Sequence, residues 1–228
     1  MKKNFFLIMV VSALLYSCSG NSDKAKDVDT SDTTITYAEP GKTVYEKYGL
    51  KSAVIHLKST TMGLEQNIIM YFDDYGKKQS TELTQELFGQ KMKQFTITDS
   101  GYIYSYNTVD NNGTKVKVNE NDPDNINFNA ITEKMAKQFN IKKTGIATII
   151  GKKCDVYSME FAASKMKGTY YIYKGFMLKT ESSVSGITIK MEATKFDENP
   201  VIPAEKFTIP KNINFKLVDK SEDMAKNS

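Results

Sequence analysis

Few side chains in this sequence could do chemistry, and they stand apart. His56 is the single histidine. Between Val54 and Lys58 it alternates with Ile55 and Leu57, which puts it on the solvent side of a strand, and a metal centre or histidine-based triad has no second imidazole to use. Cys154 is the one cysteine besides Cys18, and it shares a strand face with Val156, the setting of a buried structural thiol. Paired acids occur at Asp73-Asp74 and Asp197-Glu198, at expected strand ends where solvated turns collect them; hydrolysis by two carboxylates needs them across a cleft. Residues 119–125 (NENDPDN) offer oxygen ligands but lack the spaced glycine and closing glutamate of a calcium loop. No catalytic residue, metal ligand or cofactor is assigned. Tyr102, Tyr104 and Tyr106 share one strand face, and Tyr170, Tyr171 and Tyr173 crowd another. Core packing is their first reading and the lining of an apolar cavity the second.

Cys18 has a different setting. Lys2 and Lys3 open the chain, an apolar stretch runs from Phe5 to Leu15, and Leu15-Tyr16-Ser17 precedes the cysteine. That order is a secretory signal. The apolar stretch falls well short of the roughly 20 residues that span a bilayer as a helix. Its end at a small residue before cysteine resembles the lipobox of bacterial lipoproteins, in which the cysteine sulfur receives diacylglycerol after cleavage. Residues 1–17 are therefore expected to leave, and 18–42, polar and ending in Pro-Gly, to form a lipidated, flexible tether. Loss of Lys2 and Lys3 lowers the formal charge from +4 to +2. With so little charge, and with no arginine in the sequence, nucleic acid is not an expected partner.

The elements that must position everything else read as strands. Period-two alternation recurs over 52–61, 65–74, 92–99, 102–107, 114–119, 153–161, 167–174, 176–184 and 186–196. The last is the most regular, with Ile187, Ile189, Met191 and Ala193 on one face. Asp74-Tyr75-Gly76, Asp99-Ser100-Gly101, Asn112-Gly113 and Ser185-Gly186 supply hairpin turns. Residues 77–88 fit a helix or a strand; their place between two hairpin glycines favours a strand. One helix is expected, capped by Asn129, with Ile131, Met135 and Phe139 sharing a face. After Asn199 the chain turns irregular, and 218–228 reads as a frayed polar tail.

From Gly145 onward the order of short motifs is specific: Gly151-Lys152-Lys153-Cys154-Asp155-Val156-Tyr157, Tyr171-Ile172-Tyr173-Lys174-Gly175, Lys190-Met191-Glu192-Ala193-Thr194 and Phe207-Thr208-Ile209-Pro210. In these it resembles an uncharacterised Bacteroidota lipoprotein family with a LolA-like half-barrel, over about Lys51 to Phe215. The resemblance implies a mostly β (α+β) domain over 43–217: a curved antiparallel half-barrel sheet with one or two helices and an apolar concave face. It also implies kinship with carriers of lipoproteins or lipids, and it brings no catalytic residues. The expected protein is a non-enzymatic envelope lipoprotein, held at the outer membrane through Cys18. It binds an acyl chain or other apolar ligand lined by Ile187, Ile189, Met191, Tyr171 and Tyr173. The alternative is a structural or protein-interaction lipoprotein with a filled core.

Overall fold

The computed structural model describes residues 28–39, 46–87, 89–107, 109, 111–118 and 126–218. Cys18, the leader, the 119–125 loop and the polar tail beyond Val218 lie outside the described residues.

The alternating segments form one open twelve-stranded sheet in the order β12-β6-β5-β4-β3-β2-β1-β11-β10-β9-β8-β7. The strands are β1 Ala53–Thr61, β2 Leu64–Asp73, β3 Lys78–Leu87, β4 Gln90–Asp99, β5 Tyr102–Asn107, β6 Asn112–Lys117, β7 Lys142–Ile149, β8 Lys152–Phe161, β9 Met166–Tyr173, β10 Phe176–Val184, β11 Ile187–Glu198 and β12 Asn214–Val218. The mostly β half-barrel expectation holds, and Lys78–Leu87 of the ambiguous 77–88 segment is a strand. Two strands escaped the sequence reading. One is β7. The other is β12, which returns to pair in parallel with β6 and makes the sheet mixed rather than purely antiparallel. The helix, α1, is a short one, Glu133–Gln138, capped by Thr132 and not by Asn129. Thr132 Oγ1 accepts the Met135 amide at 3.2 Å. Asn112-Gly113, expected as a turn, lies within β6. Its glycine is needed for space: a Cβ there would stand 2.6 Å from the Phe215 ring.

Two meanders meet at the β1–β11 seam, and they differ. Register is continuous from β1/β2 through β5/β6. Three shifts interrupt the other half, at His56/Leu57 against β11, Met177/Lys179 against β9 and Lys143/Gly145 against β8. An extra residue in one strand increases local twist and bends it. The bend is measurable. Phe72 on β2 and Phe176 on β10 would be about 14 Å apart in a flat sheet, three strand spacings, yet their ring centroids are 6.0 Å apart. Tyr48, from the 46–52 segment, fits between them, 4.3 Å from Phe72 and 5.4 Å from Phe176.

Two cores result. One gathers Ile55, Leu57, Phe72, Cys154, Val156 and Leu178, all nearly inaccessible, with Tyr48 and Leu50. The other lies beneath α1 and its flanks, where Ile131, Phe139 and Ile141 pack on Tyr157, Met159, Met166 and Tyr170. Strands β8 and β9 are therefore buried on both sides, which is why Cys154-Asp155-Val156-Tyr157 and Tyr170-Tyr171-Ile172 carry so little polar alternation. Among the described residues no helix is long and apolar enough to cross a membrane.

Residues 28–39, assigned by composition to the tether, pack as a strap over the β7 edge. Asp29 exchanges backbone hydrogen bonds with Ile146 at 2.8 Å. Val28 joins the first core and Ile35 the second. Lys143, with a side chain 8% exposed, holds Asp32 at 2.8 Å and Asp155 at 2.9 Å. Burial disfavours its ammonium, but the two carboxylates outweigh that and raise its pKa. The close approach depends on Gly145, where a Cβ would stand 2.2 Å from the Asp29 carbonyl oxygen. Gly145→Ala should unseat the strap at a cost of about 1–3 kcal/mol, the usual range for an overpacked site. Limited proteolysis would then cut within 28–39 while the sheet stays intact; an unchanged digestion pattern would show that the strap does not depend on this contact.

Candidate functional site

The isolated reactive groups have structural settings. Cys154 is fully buried, and burial pushes its thiol up to about 11, far from the thiolate needed for nucleophilic chemistry. His56 lies in β1 between Ile69 and Lys195, on the face opposite Ile55 and Leu57. Asp73 accepts the Asp74 amide, Asp74 pairs with Lys77 at 3.3 Å, and Asp197 pairs with Lys195 at 2.6 Å. Among the described residues no three His, Cys, Asp or Glu side chains are grouped to hold a metal ion.

Glu198 is the most constrained carboxylate. It ends β11, beside the β9–β10 turn and the start of β8. Lys152 donates to it, Lys174 reaches it at 3.1 Å, and the Tyr173 hydroxyl donates to it at 3.1 Å. Chiefly through the Lys152 hydrogen bond, its pKa falls to about 2. Both ammonium groups also lie over the Tyr173 ring. This cluster fastens three strand ends in the bulged half of the sheet, and both cations are engaged by one anion. Chemically it is a clamp.

The five expected lining residues do not surround one space. Tyr171 is 3% exposed inside the first core, with Lys179 5.5 Å from its ring centroid. Tyr173 stands level with Phe196, 5.7 Å away. Ile187 is nine residues further along β11, about 30 Å in an extended strand. Ile187, Ile189 and Met191 are half-exposed. Met191 packs against the rim of the first core together with Ile68 and Met70, and its cross-strand neighbours are Ser59 and Thr180. The Thr180 hydroxyl is buried without a hydrogen-bond partner among the described residues. This rim is the apolar surface nearest to the expected ligand site.

Tyr102, Tyr104 and Tyr106 form a half-buried ladder on the regular half of the sheet. Phe215 lies edge-on to Tyr104 at 5.2 Å, and Phe95 stacks on Tyr106 at 5.3 Å. The β12 strand, whose Phe215 completes the ladder, was the part that sequence reasoning missed; the alternation Asn214-Phe215-Lys216-Leu217 was its only signal. A cleft of about 230 Å³ opens between the ends of β2–β4 and the 202–207 segment, lined by Asp73, Lys78, Thr98, Asp99, Ile202, Ala204 and Phe207. None of the expected lining residues reaches it.

No family model matches the sequence, and no curated protein matches it significantly. Among solved structures, an uncharacterized conserved protein from Thermus thermophilus is similar, with TM-score 0.52 and 9% identity over 75% of this chain and 93% of that one. A MucA/MucB complex of Pseudomonas aeruginosa gives TM-score 0.46 at 11% identity, over 73% of this chain and 58% of that one. The Mycobacterium tuberculosis lipoprotein LppX gives 0.40 at 12%, over 68% and 90%. At these identities the likeness to the Thermus protein concerns the fold alone.

Two measurements follow. Cys154 should react with a thiol reagent slowly in the native state and rapidly after denaturation; rapid native labelling would contradict its burial. For Glu198, a folded pKa depressed from 4.5 to about 2 contributes stability that is present above about pH 4.5 and lost as pH falls towards 2. Glu198→Gln should flatten this acid limb in thermal melts recorded across that window. A variant whose melting temperature falls as steeply as the wild type's would remove Glu198 as its cause.

Proposed function

We propose that this chain is a non-enzymatic lipoprotein of the cell envelope, anchored at the outer membrane through Cys18, whose sheet serves as a binding scaffold for a protein partner. The observation that carries the scaffold reading is the filled concave core. Ile55, Leu57, Phe72, Val156 and Leu178 are each under 2% exposed, and Tyr48 occupies the space between the arms of the bend. An enclosed carrier cavity would need an apolar volume of a few hundred Å³. Here side chains take that place.

A second reading, an acyl chain or other apolar ligand, is favoured by the rim at Ile68, Met70, Ile189 and Met191. There apolar side chains remain half-exposed beside the Thr180 hydroxyl, which has no hydrogen-bond partner among the described residues. A ligand laid on this rim would be held along one side only.

The anchor is tested with Cys18→Ala, which should abolish lipid labelling and move the protein from the membrane to the soluble envelope fraction. Acyl chains supply about 0.8 kcal/mol per buried CH₂, and a polar tether has no substitute for that. Unchanged membrane association would overturn the anchor. The two binding readings separate on titration with a fluorescent fatty acid. Saturable binding by the wild type, weakened at least tenfold by Met191→Lys through uncompensated desolvation of the charge, supports the rim. Absence of saturable binding supports the scaffold.

A further inference from the structure

The β7–β8 turn contains an anomaly. Ile150 and Gly151 occupy its tip with φ of 43° and 74°. Tight hairpins with this backbone favour Asn-Gly or Asp-Gly, and a β-branched residue there is strained. Ile150 is nevertheless 39% exposed, so packing in the core does not account for it.

Several other features converge on the same end of the sheet. Gly49 donates to the Lys174 carbonyl at 2.8 Å, and Asn199 to the Ser52 carbonyl at 2.9 Å. Together with the Glu198 clamp, these bonds bring the 46–52 segment, the β9–β10 turn, the start of β8 and the 199–203 loop side by side. In that loop the Ser52 hydroxyl fixes the Pro200 carbonyl, and Pro200 and Pro203 flank Val201, which projects 98% exposed. Lys51, Lys153 and Lys174 are exposed at this end. The register of the strap points there too. Because Asp29 pairs antiparallel with Ile146, Val28 lies on the side of this bridge nearer Ile149 and the turn. Nine residues separate Val28 from Cys18, a reach of at most about 35 Å.

We infer that this end of the sheet rests on the bilayer, with Ile150 and Val201 entering the interfacial region and Lys51 and Lys153 contacting anionic headgroups. Two exposed apolar wedges beside lysines match the chemistry of an anionic lipid surface. With Val28 on the turn side of the Asp29–Ile146 bridge and nine residues between it and Cys18, that surface is within reach of the anchor. The strain at Ile150 is explained by a role at the membrane that an Asn at the turn could not fill. This inference rests on the Cys18 anchor. The opposite end of the sheet also exposes apolar side chains, Met62 and Val109; Val28 lies on the other side of the Asp29–Ile146 bridge from that end, which serves as the control.

The test uses the full lipidated protein in vesicles of phosphatidylethanolamine and phosphatidylglycerol. Ile150→Cys, Val201→Cys, Met62→Cys and Val109→Cys are each labelled with a polarity-sensitive fluorophore; buried Cys154 and lipidated Cys18 stay unlabelled. Flotation checks the anchor independently. Labels at 150 and 201 should shift to the blue and brighten severalfold on reconstitution, while those at 62 and 109 stay unchanged. Replacing phosphatidylglycerol by phosphatidylcholine, or introducing Lys51→Glu with Lys153→Glu, should reverse the shift. Protein that does not float refutes the anchor. Protein that floats with labels at 150 and 201 still in water, or with the shift at 62 and 109 instead, overturns the membrane-facing assignment while leaving the anchor standing. A shift that persists on neutral lipid overturns the headgroup contact.

Discussion

The whole structure depends on how a wide sheet covers its own apolar face. Among the described residues the one α-helix has six residues, and no layer of helices packs against the twelve strands. Curvature substitutes for the missing layer. Extra residues at three points bend the β7–β11–β1 half until Phe72 and Phe176 approach across two intervening strands, and Tyr48 closes the gap. Its hydroxyl donates to Gln79 at 2.9 Å, and Gln79 donates to the Gly76 carbonyl at 2.8 Å. The ring is thus buried without stranding its polar atom. Burial pushes the Tyr48 phenol well above its ordinary pKa, so it stays neutral and never places a charge at the centre of the bend.

The regular half follows the opposite logic. Without bulges it stays open, its ladder of Tyr102, Tyr104, Tyr106 and Phe215 is only half-covered, and Lys206 is held over the Tyr71 ring by an ion pair with Glu82. One chain therefore presents a folded-over, self-filled region beside an exposed platform. The filled region lies where the resemblance implied an open apolar concave face. The sheet's edges are also treated unequally: the strap shields β7, while β12 borders solvent with Leu217 more than half exposed.

Much of this could be read from the sequence, for reasons that can be named. Period-two alternation located nine strands within a few residues and the flanking glycines a tenth, because most of them have one face that meets water and one that does not. Strand β7 escaped because Lys142-Lys143-Thr144-Gly145 opens with polar and flexible residues whose partners, Asp32 and Asp29, lie far away in sequence, and β12 because it has only five residues. Bulges leave no local mark: Leu178 and Thr194 look like ordinary members of an alternating run. Once they shift the register, residues assigned to one surface by counting end at different depths, Tyr171 inside the first core and Met191 only against its rim. Cys154 was legible because one alternating strand sufficed; the lining was not, because it required the curvature.

The seam between the halves has a consequence for how the chain reaches this state. Strand β1 pairs with β2 across a turn of two residues, but its other edge waits for β11, more than a hundred residues later in the chain. Such long-range pairing slows folding. A chain exported from its N-terminus would complete the regular meander early, with Ile55 and Leu57 uncovered and one edge of β1 unpaired until β11 emerges. An unsatisfied edge beside an apolar face invites pairing with other chains. The interval before β11 arrives is thus the vulnerable one for this protein, and its most hazardous surface is one that the finished fold hides completely.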